Sequence, residues 1–259
     1  MRFDVAVLVS VGRHPVSGRP QRADADARAL ELALRLTQRD ALHVIHAGDP
    51  ADLSLRDYLG MGVPALTVLR QPPGVNVLEP LASYLAQLRL ALVLTGTQTE
   101  QGEGSGLLPY ALARRLGAVL VAAVTGVEVI GTQMDVLQAL PRGRRRRLSV
   151  TAPCVLTVER SAPVARQSAY ARARRGTIEV LDVPAGPAPP PSARVQPARP
   201  RPRRLRVATG GSATDRLRAL TETQSAGGRQ LVHPSPDEAA AAILNYLVTE
   251  RIVTGLDES

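Results

Sequence analysis

The residues with the most chemistry in them lie in one stretch, Leu92–Pro109, LVLTGTQTEQGEGSGLLP. An apolar run, Ala91–Leu94, reads as a buried parallel strand. Four glycines follow, Gly96, Gly102, Gly104 and Gly106, and then a helical pattern from Leu107 to Leu116. Strand, glycine-rich loop and helix start together bring free backbone N–H groups and the positive end of a helix against an anion such as a phosphate. Glycine suits those positions because a side chain would hold the anion away from the amides. Taken alone, the loop is equally readable as a solvent-exposed connection.

No catalytic constellation accompanies it. His14, His43, His46 and His233 are scattered, and none has metal-ligand spacing with a cysteine or a carboxylate. There is no G-x-S-x-G elbow, no Walker lysine and no G-x-G-x-x-G after the first apolar run. Glu103-Gly104-Ser105 sets a hydroxyl beside an acid without a base. The expectation is a nucleotide site with no catalytic residue and no metal. Such a site binds for structure, or helps pass electrons from a cofactor held mainly by another chain.

The elements that must position this loop follow from periodicity. Phe3–Val11 suits a buried first strand, and Ala23–Asp26 an N-cap before a helix over Ala27–Arg39. Ala41–Ala47 reads as a second strand, Asp52–Gly60 as a short helix and Ala65–Leu69 as a third strand. Leu78–Leu88 reads as a helix and Ala91–Thr95 as a fourth strand. This alternation predicts an α/β fold with a doubly wound, mostly parallel sheet. Ligands of such sheets bind beyond the carboxyl ends of the strands, where Val11–Pro20, Ala47–Pro50 and Gly96–Gly106 converge. From Leu120 to Val158 four strands without long helices are expected, then a polar, mobile Ser161–Gly176. Pro184–Arg206 is rich in Pro and Arg and reads as an extended linker. A short helix over Ala213–Leu220 and a well-formed one over Ser235–Val248 end the chain.

Composition narrows the class. The chain has 259 residues and a net charge of +9, yet 16 arginines against 3 acids fall in Pro141–Arg206 alone. All 32 basic residues are arginine. No aromatics interleave with them to stack bases, so nucleic acid is not the expected partner. No run of 18 apolar residues exists, which argues against membrane insertion. A single cysteine, Cys154, fits a reducing compartment, and the expected location is cytoplasmic.

Five segments, in order, carry a resemblance from residue 3 to residue 181. They are AVLVSVGR (Ala6–Arg13), DARALELALRL (Asp26–Leu36), LGMGVPALTVL (Leu59–Leu69), the loop Leu92–Pro109, and APCVLTVERSAPVARQSAYARARRGTIEVLD (Ala152–Asp182). Together they resemble the beta subunits of electron transfer flavoproteins. The resemblance implies a Rossmann-like, adenine-nucleotide-binding domain over 1–183 and a linker over 184–206. A helix that ends a Pro-rich arm has too little surface of its own to stand free, so the arm over 207–259 is expected to dock its last helix on a partner subunit, and the resemblance, weaker there, implies which partner. The partner is an alpha subunit that holds most of an FAD, while AMP is buried in this chain as a structural ligand. By position, the AMP contacts fall on Ser10, Asp26, Ala47, Gly96, Gln98, Gly104, Ser105, Gly106 and Leu107. A flavin dehydrogenase would donate electrons by docking through Ser161–Arg175.

The departures matter too. The family's Asn-Pro before the first helix is Ala23-Asp24 here, its polar residue ahead of the next helix is Gly106, and its flavin-side tyrosine falls at Ser17. The recognition loop at Ser161–Arg166 is short, which points to a dedicated dehydrogenase. In some members a second FAD replaces AMP and supports electron bifurcation; the AMP form is the expectation here. The alternative is a stand-alone adenine-nucleotide module acting as sensor or hydrolase. The absence of a lysine or an acid–base pair beside the loop disfavours hydrolysis, and the arm-plus-helix C-terminus disfavours an isolated module.

Overall fold

Short Val- and Leu-rich runs alternate with amphipathic helices, and each run finds its place in one sheet. The computed structural model describes residues 4–14, 16–37, 39–88, 90–101, 104–130, 133–187, 212–214 and 230–249. Residues 1–194 form one unit and 195–259 a second.

In the first unit the chain runs through β1 (Val5–Leu8), β2 (Val11–Arg13), β3 (Pro20–Arg22), α1 (Asp24–Leu36), β4 (Leu42–Gly48) and α2 (Leu55–Gly60). It continues through β5 (Ala65–Arg70), α3 (Leu78–Gln87), β6 (Leu92–Gly96) and α4 (Leu108–Leu116). Then come β7 (Val119–Ile130), β8 (Gln133–Ala139), β9 (Arg145–Thr151), β10 (Cys154–Val158), α5 (Tyr170–Arg175) and β11 (Thr177–Asp182). The main sheet has the order β11-β5-β4-β1-β6-β10-β7-β8-β9. All pairs from β11 to β7 are parallel, and β8 and β9 extend the sheet antiparallel.

Alternate residues of each strand face opposite layers. Val5, Val7, Leu92, Leu94 and Leu156 pack in one cluster with Leu30 and Ala33 of α1 and Leu55 and Leu59 of α2. The intervening Ala6, Leu8, Val93 and Val155 pack with Leu81 and Leu85 of α3 and Leu112 of α4. Helices on both faces of a mostly parallel sheet make the fold doubly wound, as its alternation predicts.

The structure departs from the sequence reading in three places. The first strand stops at Leu8, and Val11–Arg13 instead forms a small antiparallel hairpin with Pro20–Arg22. His14 closes its turn, accepting the Val16 and Ser17 N–H groups on Nδ1. Strands of three residues are too short to show a period of two. The first helix begins at Asp24, not Ala27, so Asp26 lies inside its first turn.

Ser161–Gly176 is built rather than loose. Arg166 donates through Nε at 2.7 Å, and through Nη2 and its backbone N–H, to the buried Glu31 carboxylate of α1, which Arg35 also contacts. Burial pushes the Glu31 pKa up, but these hydrogen bonds outweigh it and hold the group at about 2. Arg22, Arg28 and Arg56 donate to the carbonyls of Arg166, Ala162 and Ala173. The segment then folds into α5 and supplies β11, a parallel edge strand beside β5. Its high charge hides this order from a hydrophobic pattern, because its polar groups are satisfied by tertiary contacts.

The chain leaves β11 along a fixed path. Buried Gln71 donates to the Pro184 carbonyl and accepts the Gly186 N–H, while Asn76 N–H bonds the Pro187 carbonyl. The start of the Pro-rich segment is therefore held; its remainder from 188 onward lies outside the described residues. In the second unit, α6 (Pro236–Thr249) starts with a reciprocal cap. Ser235 Oγ accepts the Glu238 N–H, and the Glu238 carboxylate accepts the Ser235 N–H. Ile243, Leu244, Tyr246 and Val248 of this helix are exposed. The helix expected over Ala213–Leu220 lies, beyond residue 214, outside the described residues.

Candidate functional site

The chain moves outward from β1 to β4 and β5, then returns to place β6 on the other side of β1. Strand order reverses there, so a crevice is expected beyond the carboxyl ends of β1 and β6. Asp26 sits at this point, 5% exposed. Its Oδ2 accepts the Ser10 N–H at 2.8 Å and the Ser10 hydroxyl at 2.5 Å, and its Oδ1 accepts the Gly96 N–H at 2.8 Å. One carboxylate from the first turn of α1 thus joins the ends of both central strands. Burial raises its pKa to about 6, against the pull of the same three hydrogen bonds. Gly96 must lack a side chain here, since a Cβ would lie 2.4 Å from Asp26 Oδ1 and 2.9 Å from Ala25 Cβ.

Two further side chains brace the segment that follows β1. The fully buried Tyr58 of α2 donates its hydroxyl proton to the Ser10 carbonyl at 2.8 Å and accepts the Ala23 N–H at 2.9 Å. It therefore ties the start of α1 to the residue that Asp26 holds. Burial keeps the phenol neutral, pushing its pKa well above the usual value. Tyr58→Phe is expected to cost about 2 kcal/mol of stability in urea melts, because it strands a buried N–H and a buried carbonyl. His46 of β4 is buried, and burial lowers its pKa, so the neutral ring donates from Nδ1 to the Val9 carbonyl at 2.8 Å. This bond continues the β1–β4 ladder past Leu8, beside the Val9 N–H bond to Ile45.

The loop after β6 returns over this mouth. Glu100 accepts the Asp24 N–H at the start of α1, and Gln101 bonds the Val11 carbonyl and Arg13 Nε. Gly104 and Gly106 take φ of +58° and +71°, and a Cβ on Gly106 would lie 2.9 Å from the Thr97 carbonyl oxygen. Those left-handed turns favour glycine and bring the strand about into α4. The Leu107 N–H bonds Ser105 Oγ, and no side chain caps α4, whose first turn carries Pro109. Gly102 and Glu103 lie outside the described residues.

Among the predicted site residues, Ser10, Asp26 and Gly96 are brought into direct hydrogen-bond contact. Ala47 lies at the carboxyl end of β4, just beyond His46. Gly104, Ser105, Gly106 and Leu107 form the turn into α4, while Gln98 is exposed on the outgoing side of the loop. A separate cleft of about 270 Å³, near Leu32 and Leu36 of α1 and Val127 and Leu137 of β7 and β8, includes none of them. Sequence reasoning missed Tyr58, His46 and Glu100 as members of this site. A tyrosine on the apolar side of a short helix, between Leu55 and Leu59, was the available signal for Tyr58.

Chemically, the clasp fixes backbone groups at the ends of β1 and β6. Every oxygen of Asp26 is engaged by the protein's own donors, and no second acid or base is bonded to it. The N-cap residue of α4, Leu107, supplies no side-chain cap, and the turn in front of it carries one small side chain, Ser105, between two glycines. Both features fit a phosphate held by backbone amides.

Comparison with known proteins bears on the whole chain. The family model described as the electron transfer flavoprotein domain matches residues 18–186. The chain is also 46% identical over 260 residues to the electron transfer flavoprotein subunit beta of Chromohalobacter salexigens, covering 97% of this chain and 96% of that protein. Among the described residues, no helix is long and apolar enough to cross a membrane. The strand order and the near full-length match agree: the chain belongs to the electron transfer flavoprotein family, among its beta subunits.

Proposed function

We propose that this chain pairs with an alpha subunit to form a heterodimeric electron carrier. In that carrier the alpha subunit holds most of an FAD, and this chain holds an AMP as a structural ligand. Electrons enter from a flavin dehydrogenase docked at Ser161–Arg175 and leave to a downstream acceptor. The setting is cytoplasmic, without nucleic acid and without membrane insertion. The flavin supplies the electron chemistry when bound; the residues of this chain fix the geometry of its own crevice.

The observation that carries the reading is the Asp26 clasp at the switch point, with the Gly104-Ser105-Gly106 turn and the start of α4 beside it. In this reading the amides from Gly104 to Leu107 hold the phosphate, Ser10 and Ala47 border the adenosine, and Asp26 keeps Ser10 and Gly96 in place. The absence of a lysine from the chain removes the side chain that phosphate-cleaving loops use on the terminal phosphates.

The test is purification with the alpha partner and identification of the released nucleotides. One FAD and one AMP per heterodimer is the expected result. Two FAD would move the protein to the bifurcating type, and a complex releasing neither would overturn the proposal.

A further inference from the structure

The underside of Ser161–Arg175 is held from three elements at once. Arg22 of β3, Arg28 of α1 and Arg56 of α2 donate to the carbonyls of Arg166, Ala162 and Ala173 at 2.9, 2.6 and 3.2 Å. In the reverse direction Arg166 reaches into α1, where its Nε, its Nη2 and its backbone N–H all meet the Glu31 carboxylate. The Glu31 side chain is only 5% exposed, so the pair is rooted in the fold. The end of α2 is moulded to the same segment. The Ala169 N–H bonds the Gly60 carbonyl, and a Cβ on Gly60 would collide with Ser168 Oγ.

One of these contacts opposes stability. Nη1 of Arg22 is buried with no hydrogen-bond partner among the described residues, and a buried donor left unpaired destabilises a fold. A guanidinium aimed at the segment in spite of that penalty marks a constraint other than stability. The outward side of the segment shows what is being held. Val164 and Tyr170 are 72% and 76% exposed, on a backbone fixed from beneath. Arg174 lies over the Tyr170 ring, 5.9 Å from its centroid. Large apolar side chains held rigidly in water, a tyrosine and an arginine among them, have the make-up of an interface centre.

We propose that Glu31 is a positioning residue for the electron donor, an inference that rests on the docking at Ser161–Arg175 put forward above. Glu31 acts through Arg166 and touches neither flavin nor donor. By fixing the segment before the donor arrives, it leaves less ordering to be done on binding. It thereby tightens the encounter without altering electron transfer inside the complex. The surface it presents, Val164 and Tyr170 beside arginines, fits a donor face with an apolar recess and carboxylates at its rim.

The experiment follows reduction of the assembled heterodimer by its donor, the flavin dehydrogenase purified from the cells of origin by its ability to bleach the wild-type flavin. The heterodimer, counted by bound flavin, is the varied substrate. The wild type is compared with Glu31→Gln, Arg166→Ala, both together, and Val164→Ala combined with Tyr170→Ala. Glu31→Gln and Arg166→Ala should each raise KM about tenfold, with kcat within about twofold of wild type. Carrying both should be no worse than Arg166→Ala alone, because they break one pair. Amide exchange in Glu31→Gln should quicken over residues 161–176. A wild-type KM in Glu31→Gln, or a fall in kcat at unchanged KM, overturns the positioning role. If KM rises in the Val164 and Tyr170 variant all the same, docking at this segment stands without it. A wild-type KM in that variant overturns the docking reading and the inference together, as does a heterodimer that no dehydrogenase reduces. Should Arg166→Ala fail to assemble, Glu31→Gln, which keeps the shape of the side chain, decides the matter by its KM.

Discussion

Asp26→Ala is expected to lower the free energy of unfolding by about 3 kcal/mol at neutral pH, read in urea melts. Three donors, the Ser10 N–H and hydroxyl and the Gly96 N–H, would lose their acceptor together. Each stranded buried donor costs ~1–3 kcal/mol, and the release of a buried charge returns part of that. The loss should also depend on pH in a definite direction. Folding raises the Asp26 pKa from 3.8 to about 6, so the folded state binds the proton more tightly than the unfolded chain does. Stability supplied through this group is greatest below the unfolded value and is lost as pH rises through about 6. The substitution should therefore cost more at about pH 5 than at about pH 7.5. Glu31, with its pKa lowered to about 2, works the opposite way: its contribution is lost as pH falls from 4.5 through 2. It is common to both proteins and lies outside the window compared. A cost that stays flat between the two pH values would contradict this account of the clasp.

Gly96→Ala is the second large effect expected, about 2–4 kcal/mol in the same melts. The new methyl would collide with Asp26 Oδ1 at 2.4 Å and with Ala25 Cβ at 2.9 Å, in a place where α1 packs directly on β6. Relief requires α1 to move off the sheet or the carboxylate to give up the Gly96 N–H. The two substitutions should therefore couple. With Asp26 already alanine, the nearest obstacle is gone, and the double variant should be less damaged than the sum by about 1 kcal/mol or more. Full additivity would mean that the methyl is accommodated without disturbing Asp26.

Much of the parallel core was legible because its strands are buried on both faces and its helices carry apolar stripes. Leu42–Gly48, Leu92–Gly96 and Leu108–Leu116 lie close to where periodicity and glycine put them. The hairpin at Val11–Arg13 and Pro20–Arg22 was illegible, since its strands are held by backbone bonds and a histidine turn instead of by apolar residues. The strand Thr177–Asp182 was hidden for another reason: it is an edge strand with five of its six residues exposed. Its partner β5, distant in sequence, decides its conformation. At the site, the glycines and Asp26 were visible as residue types, but not the use of Asp26. A first-turn acid reads as a helix cap; only the approach of Ser10 and Gly96 turns it inward. Tyr58 and, through Arg166, Glu31 share that logic, being polar groups with partners that arrive from more than 30 positions away.

The place of β10 has a consequence for how the polypeptide acquires its shape. β10 lies between β6 and β7, although the chain reaches it only after making β7 and the β8–β9 excursion. Until Cys154–Val158 arrives, β6 and β7 have no shared neighbour, and each offers a bare ladder of N–H and C=O groups. A nascent chain that has emerged no further than residue 150 would carry two sticky apolar rims in place of a closed centre. The wedge that completes the interior comes late, so the interval during synthesis when this molecule is most exposed to aggregation ends with a single five-residue strand.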